Sequence, residues 1–163
     1  MQISIDIVRK MLSSQIDKVL LNDKSFMGCY PKDKLPKRFP NILPKTIIIN
    51  TGLSSTHGDH WVALRLLKTC CFYFDSFGVE IVDQEILSFI KRKYQKYTFN
   101  NKCIQYYDSE NCGKFCIAFI KMVKNRNDFK NFVHKFDFHN LKKNDKQIEK
   151  ILKKVSFGFN EIV

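Results

Sequence analysis

The chain has 163 residues, 44% hydrophobic and 13% aromatic, which is enough apolar material for a single domain, 1–163, with a sizeable core. No run of about 18 apolar residues is present to cross a bilayer, and Met1 to Leu12 mixes charged with apolar residues where a signal peptide would be apolar. The expectation is a soluble, unsecreted monomer with no membrane partner. The net charge of +12 admits DNA as a partner, yet lysine outnumbers arginine 23 to 5 and Asn, Ile and Phe are frequent, a bias that A/T-rich coding produces without any binding.

In chain order, Ile3 to Leu21 places Ile7, Met11, Leu12, Ile16, Val19 and Leu20 at helical spacing and predicts one or two amphipathic helices. Lys24 to Pro44, with Pro31, Pro36, Pro40 and Pro44, reads as an ordered surface loop. Thr46 to Asn50, Trp61 to Leu67 and Cys71 to Phe74 are short β-branched or aromatic runs that predict strands. The turn-rich segment Thr51 to Asp59 delivers His60 to the start of the second. Val82 to Tyr97 carries Ile86, Phe89, Ile90 and Tyr94 on one face of a surface helix, and Cys103 to Tyr106 reads as a further strand. Cys112 to Val123 is almost uninterrupted by polar residues and predicts a buried helix, with Asn111 as its N-cap. A final helix is expected over Leu141 to Val155, within a basic C-terminal extension, 125–163. The fold class is α+β, a central mixed sheet packed between helices.

Six cysteines, at 29, 70, 71, 103, 112 and 116, are too sparse for a disulfide scaffold and read as thiols. Their spacing does not offer two matched ligand pairs for zinc, so no metal is assigned.

One order of residues carries chemistry. Cys112 starts the buried helix, where unpaired backbone amides favour a thiolate, and Gly113 beside it leaves room for a substrate backbone. Cys116, one turn further on, reads as core packing. His60 at a loop-to-strand junction can exchange a proton with the thiol. Asp75, at the end of the next strand, can hold the imidazole or cap its own turn before Gly78. Gln105, seven residues before Cys112, can place its amide beside the Cys112 N–H as an oxyanion hole.

The run Phe26-Met27-Gly28, Lys34-Leu35-Pro36, Ile49-Asn50-Thr51, Gly58-Asp59-His60-Trp61, Phe74-Asp75-Ser76-Phe77-Gly78, Gln105 and Cys112-Gly113 with Phe115-Cys116 resembles the adenain (adenovirus-type) cysteine endopeptidases. These belong to the clan that also holds the SUMO- and ubiquitin-like-specific proteases. The resemblance is strongest over 24–120. It implies a Cys112–His60–Asp75 triad with Gln105 at the oxyanion hole, no cofactor for the chemistry, and DNA or a viral peptide as activator. Asp75 departs from the family's usual glutamate toward the SUMO-protease habit, and no cysteine is assignable as an anchor for a peptide activator. The implied function is cleavage of viral capsid or core precursor proteins during maturation, in the virion and the infected cell. The alternatives are a SUMO- or ubiquitin-like deconjugating protease and, from another class, a basic DNA-binding virion protein without protease activity.

Overall fold

The computed structural model describes residues 10–157. Five strands, β1 (Phe26–Pro31), β2 (Lys45–Asn50), β3 (Trp61–Leu66), β4 (Cys71–Phe74) and β5 (Thr98–Phe99), lie in that order in one sheet. The two outer pairings are parallel and the two inner ones antiparallel, so the sheet is mixed. Around it stand α1 (Ser13–Val19), α2 (Gln84–Lys91), α3 (Cys112–Met122), α4 (Arg126–Val133) and α5 (Leu141–Phe157).

The alternation of side chains along the strands divides the core in two. Ile48, Trp61, Ala63, Phe72 and Phe74 face α3 and the helices grouped with it. Ile47, Ile49, Val62, Leu64, Leu66 and Tyr73 face the opposite way, against Ile86, Phe89 and Ile90 of α2. Both faces are covered, which is why β3 is buried along its whole length and, Arg65 apart, apolar. The α+β class, with a mixed sheet between helices, stands.

Several expectations are corrected. The proline-rich segment from Lys24 is not all loop: Phe26–Pro31 pairs parallel with β2 as an edge strand, where Pro31 at the strand end is tolerated. Cys103 to Tyr106 is not a strand. The edge beside β4 is taken by Thr98–Phe99, and the amides of Ile104 and Gln105 both reach one acceptor, the Ser76 carbonyl, at 2.9 and 3.1 Å. The helix expected over Val82 to Tyr97 is the shorter α2, which ends at Lys91 before the chain turns into β5. Of the helical stretch expected from Ile3, α1 is described and residues 1–9 lie outside the described region.

The basic segment after Lys124 belongs to the core. Phe129 of α4 packs on Phe72 and Phe119, each at 5.3 Å between ring centroids. Phe132 reaches Phe74 at 5.5 Å, and Ile148 of α5 is fully buried. Arg65 anchors the far end of α3: it is 1% exposed, and its guanidinium donates to the Ile120 carbonyl at 2.6 Å, one of the last-turn carbonyls that a helix cannot satisfy itself.

Candidate active site

Asn50, the last residue of β2, shapes the loop that carries His60. Its Oδ1 accepts the amides of Gly52 at 2.8 Å and Asp59 at 3.0 Å, folding the loop back so that His60 stands one residue before β3. Asp75 stands one residue after β4. The tight turn between these strands, closed by Leu67 N–H on the Cys70 carbonyl at 2.9 Å, sets Ala63 opposite Phe74 and so brings the two strand ends together.

His60 Nε2 meets Asp75 Oδ1 at 2.7 Å. The same Oδ1 accepts the Phe77 amide at 2.8 Å, so Asp75 fills both roles that its position suggested, partner to the histidine and organiser of its own turn. Asn100 clamps the Asp75 backbone from both sides: its Oδ1 accepts the Asp75 amide at 3.0 Å, and its Nδ2 donates to the Asp75 carbonyl at 2.5 Å. The His60 ring is stacked on Phe77 at 4.8 Å. Asp75 and its partner histidine are therefore fixed by backbone and ring contacts before any substrate arrives.

With Nε2 engaged by Asp75, Nδ1 is the ring nitrogen left for the Cys112 thiol, which lines the same cleft. Burial works against an imidazolium here, but the hydrogen bonds and charges of Asp75 and Cys112 outweigh it and push His60 up to about 9. Burial likewise opposes a thiolate at Cys112. His60, a backbone bond from Trp61 and the charge of Lys10 outweigh that too and hold the thiol below its ordinary range. Both shifts favour the thiolate–imidazolium form of the pair. Cys116 differs: it is fully buried, its thiol donates to the Trp61 carbonyl at 3.3 Å, and burial pushes it well above the ordinary thiol range.

Gln105 is fully buried beside the cleft. Its Oε1 accepts from Ser76 Oγ at 2.5 Å, which ties it to the turn carrying Asp75. Its Nε2 donates to the Ser109 carbonyl at 2.7 Å and lies 3.3 Å from Ser109 Oγ. One N–H is thus committed, and the second, loosely held, is the one that can meet an oxyanion. The Cys112 amide, in the first turn of α3, is among those without an intrahelical acceptor. His60, Phe77, Gln105, Ser109 and Cys112 line one open cleft of about 460 Å³, edged by Lys10, Asp59, Tyr107, Asp108 and Glu110.

Two expectations change at this site. Gly113 does not leave room for substrate. A Cβ there would lie 3.2 Å from Met11 Cβ and 3.3 Å from Trp61 Cδ1, so the glycine lets α3 seat against Trp61, whose Nε1 donates to the Met11 carbonyl at 2.9 Å. Asn111 precedes α3 but makes no side-chain cap; its Nδ2 donates to Asp145 Oδ1 at 3.0 Å. Residues that the spacing did not reveal are Asn50, which folds its own loop, and Ser76, Asn100 and Asp145, which act on the site through contacts distant in sequence. Among the described residues, no three His, Cys, Asp or Glu side chains converge as a metal site.

A thiol at the start of a buried helix, a histidine on the neighbouring strand end and a carboxylate behind it make up a thiol-nucleophile site of the cysteine-peptidase type on a mixed α+β sheet. Sequence comparison agrees with that class. The model of the adenovirus endoprotease family matches residues 26–155, and the chain belongs to that family. The match runs through α4 and most of α5, well past residue 120. A protease of Avian adenovirus 8 (strain ATCC A-2A) is 33% identical over 78 residues, covering 44% of this chain and 35% of that protein. The chain therefore spans about a third of the length of the curated relative it matches. Among solved structures, the Se-Met ASFV protease aligns over 66% of this chain and 42% of its own, with 20% identity and a TM-score of 0.45.

Proposed function

We propose that this chain is a cysteine endopeptidase that cleaves viral capsid or core precursor proteins during virion maturation. The observation that carries the proposal is the His60–Asp75 pair at 2.7 Å sharing one cleft with Cys112 at the start of α3, in a chain of the adenovirus endoprotease family. In the proposed reaction the Cys112 thiolate attacks the scissile carbonyl carbon. Its oxygen gathers charge against the Cys112 amide and the loosely held N–H of Gln105. His60 Nδ1 gives its proton to the departing amine, then takes one from the water that hydrolyses the thioester. Asp75 holds the ring and stabilises its charge throughout. No cofactor enters these steps.

Every group in this scheme comes from one chain, which supports action as a monomer. The place of action proposed from the family is the virion and the infected cell. DNA as an activator is a further proposal. It draws support from the net charge of +12 and from an open groove of about 710 Å³ at the other end of β4, where Lys68, Lys93, Lys96 and Arg126 gather. Duplex DNA added at low salt should raise turnover and lose its effect as salt increases; turnover indifferent to DNA would remove that role.

The substrate class is tested by offering the chain a viral capsid precursor and, separately, a SUMO or ubiquitin fusion. Internal cleavage of the precursor with the fusion left intact is the expected result. The reverse outcome would make the chain a deconjugating protease.

A further inference from the structure

Helix α5 turns two adjacent side chains into the segment that joins Gln105 to Cys112. Asn144 is fully buried; its Nδ2 donates to the Ile104 carbonyl at 2.9 Å and to the Asp137 carbonyl at 2.7 Å, and its Oδ1 accepts the Asp137 amide at 2.8 Å. Asp145 Oδ2 accepts the Tyr106 amide at 3.1 Å. Its Oδ1 accepts from Ser109 Oγ at 2.6 Å and from Asn111 Nδ2 at 3.0 Å. The residues on both sides of Gln105 are therefore held by one helix.

Two of these bonds lead onward to reacting groups. Ser109, fixed through its hydroxyl by Asp145, gives its carbonyl to Gln105 Nε2 at 2.7 Å. Asn111, fixed through its amide, immediately precedes Cys112 and accepts the Phe115 amide at 3.1 Å, which starts α3. One carboxylate thus stands a single residue away from each half of the oxyanion hole. A carboxylate suits this place because it accepts several donors and offers none of its own.

We infer that Asp145, supported by Asn144, is a positioning residue that sets the separation between the Gln105 side-chain amide and the Cys112 backbone amide, so that α5 is part of the catalytic apparatus. The inference rests on the proposed peptidase reaction. Asp145→Asn keeps the shape but must point an NH₂ at one of three donors, releasing at least one of them and loosening the loop at 106–111. Displacements of this size matter because oxyanion donors act only within hydrogen-bond reach of the developing charge.

The test uses the full chain and a fluorogenic peptide that the native protein cleaves, with Asp145→Asn, Gln105→Ala and the double variant. Asp145→Asn should lower kcat roughly ten- to hundred-fold, at or below the loss for Gln105→Ala, with KM changed by less than about threefold. In the Gln105→Ala background the same change should cost less than about threefold more, because the two residues act through one donor. Iodoacetamide alkylation of Cys112 builds no oxyanion and should keep its native rate. An unchanged kcat, a fully multiplicative loss in the double variant, or alkylation falling in step would each overturn the inference. Should Asp145→Asn fail to fold, Ser109→Ala removes only the hydroxyl arm and should still lower kcat several-fold; no effect there would also overturn it. A native chain whose Cys112 neither cleaves nor alkylates would instead refute the peptidase proposal, and this assignment with it.

Discussion

Cys112 and Cys116 lie one turn apart on the same buried helix, and their surroundings send their thiols in opposite directions. Cys112 lines the cleft, where His60, the Trp61 backbone and the charge of Lys10 outweigh burial and hold it below the ordinary thiol range. Cys116 meets the Trp61 carbonyl and core, which hold it above. The pH dependence follows from the signs. As pH falls, Cys112 regains its proton and cleavage fails, at a pH below the ordinary thiol value of 9.0. As pH rises through about 9, His60 loses the proton that the leaving amine needs, and cleavage fails again. Asp75→Asn removes the charge behind the ring, so the alkaline limb should move to lower pH and kcat should fall about 10²- to 10⁴-fold. A profile that stays in place would show that Asp75 only organises its turn. The residues of the proposed triad are legible because each sits at a boundary the chain itself marks: a strand start, a strand end, a helix start. Asn100 and Asp145 were not, because their roles come from contacts 25 and 34 positions away in sequence, which no local pattern announces.

Among the elements, the turn from Asp75 to Gly78 does more than end β4. Gly78 has φ +69°, and a Cβ there would fall 2.4 Å from the Lys102 carbonyl carbon, so no side chain fits without moving the segment that leads to Gln105. Ser76 in the same turn bonds Gln105 through its hydroxyl and receives the amides of Ile104 and Gln105 on its carbonyl. Gly78→Ala should therefore cost about 2 kcal/mol or more of stability, from strain and clash together, and should lower kcat further than that loss of folded protein explains. Thermal unfolding beside turnover measures both, and a variant of native stability would contradict the close approach. The central strands and α3 were legible from their apolar runs. Edge strands were harder: β1 hides behind a proline-rich texture, and β5 is two residues long and held by pairing with β4, while Cys103 to Tyr106 has the composition of a strand but gives its amides to a turn.

For the whole molecule, the basic C-terminal segment after Lys124 is what closes the core. Phe129, Phe132, Phe136 and Ile148 join α3 and the sheet in one cluster, and α5 reaches the loop at 106–111 through Asp145. Phe132→Ala should cost about 3–5 kcal/mol, and a chain ending at Lys124 should not fold cooperatively; a truncated chain with a native melting transition would contradict this packing. Charge and apolar residues coexist here because lysines take the outer faces of α4 and α5 while Phe129 and Phe132 of α4 and Ile148 of α5 take the inner ones. Composition alone could not separate a solvated face from a binding one. The account turns on Cys112 as the nucleophile of a peptidase, and its most direct test is cleavage of a viral capsid precursor by the native chain, Cys112→Ala and Cys116→Ala, each verified as folded. Loss of all cleavage in Cys112→Ala with retention in Cys116→Ala is the predicted result, and cleavage by Cys112→Ala at the native rate would contradict it.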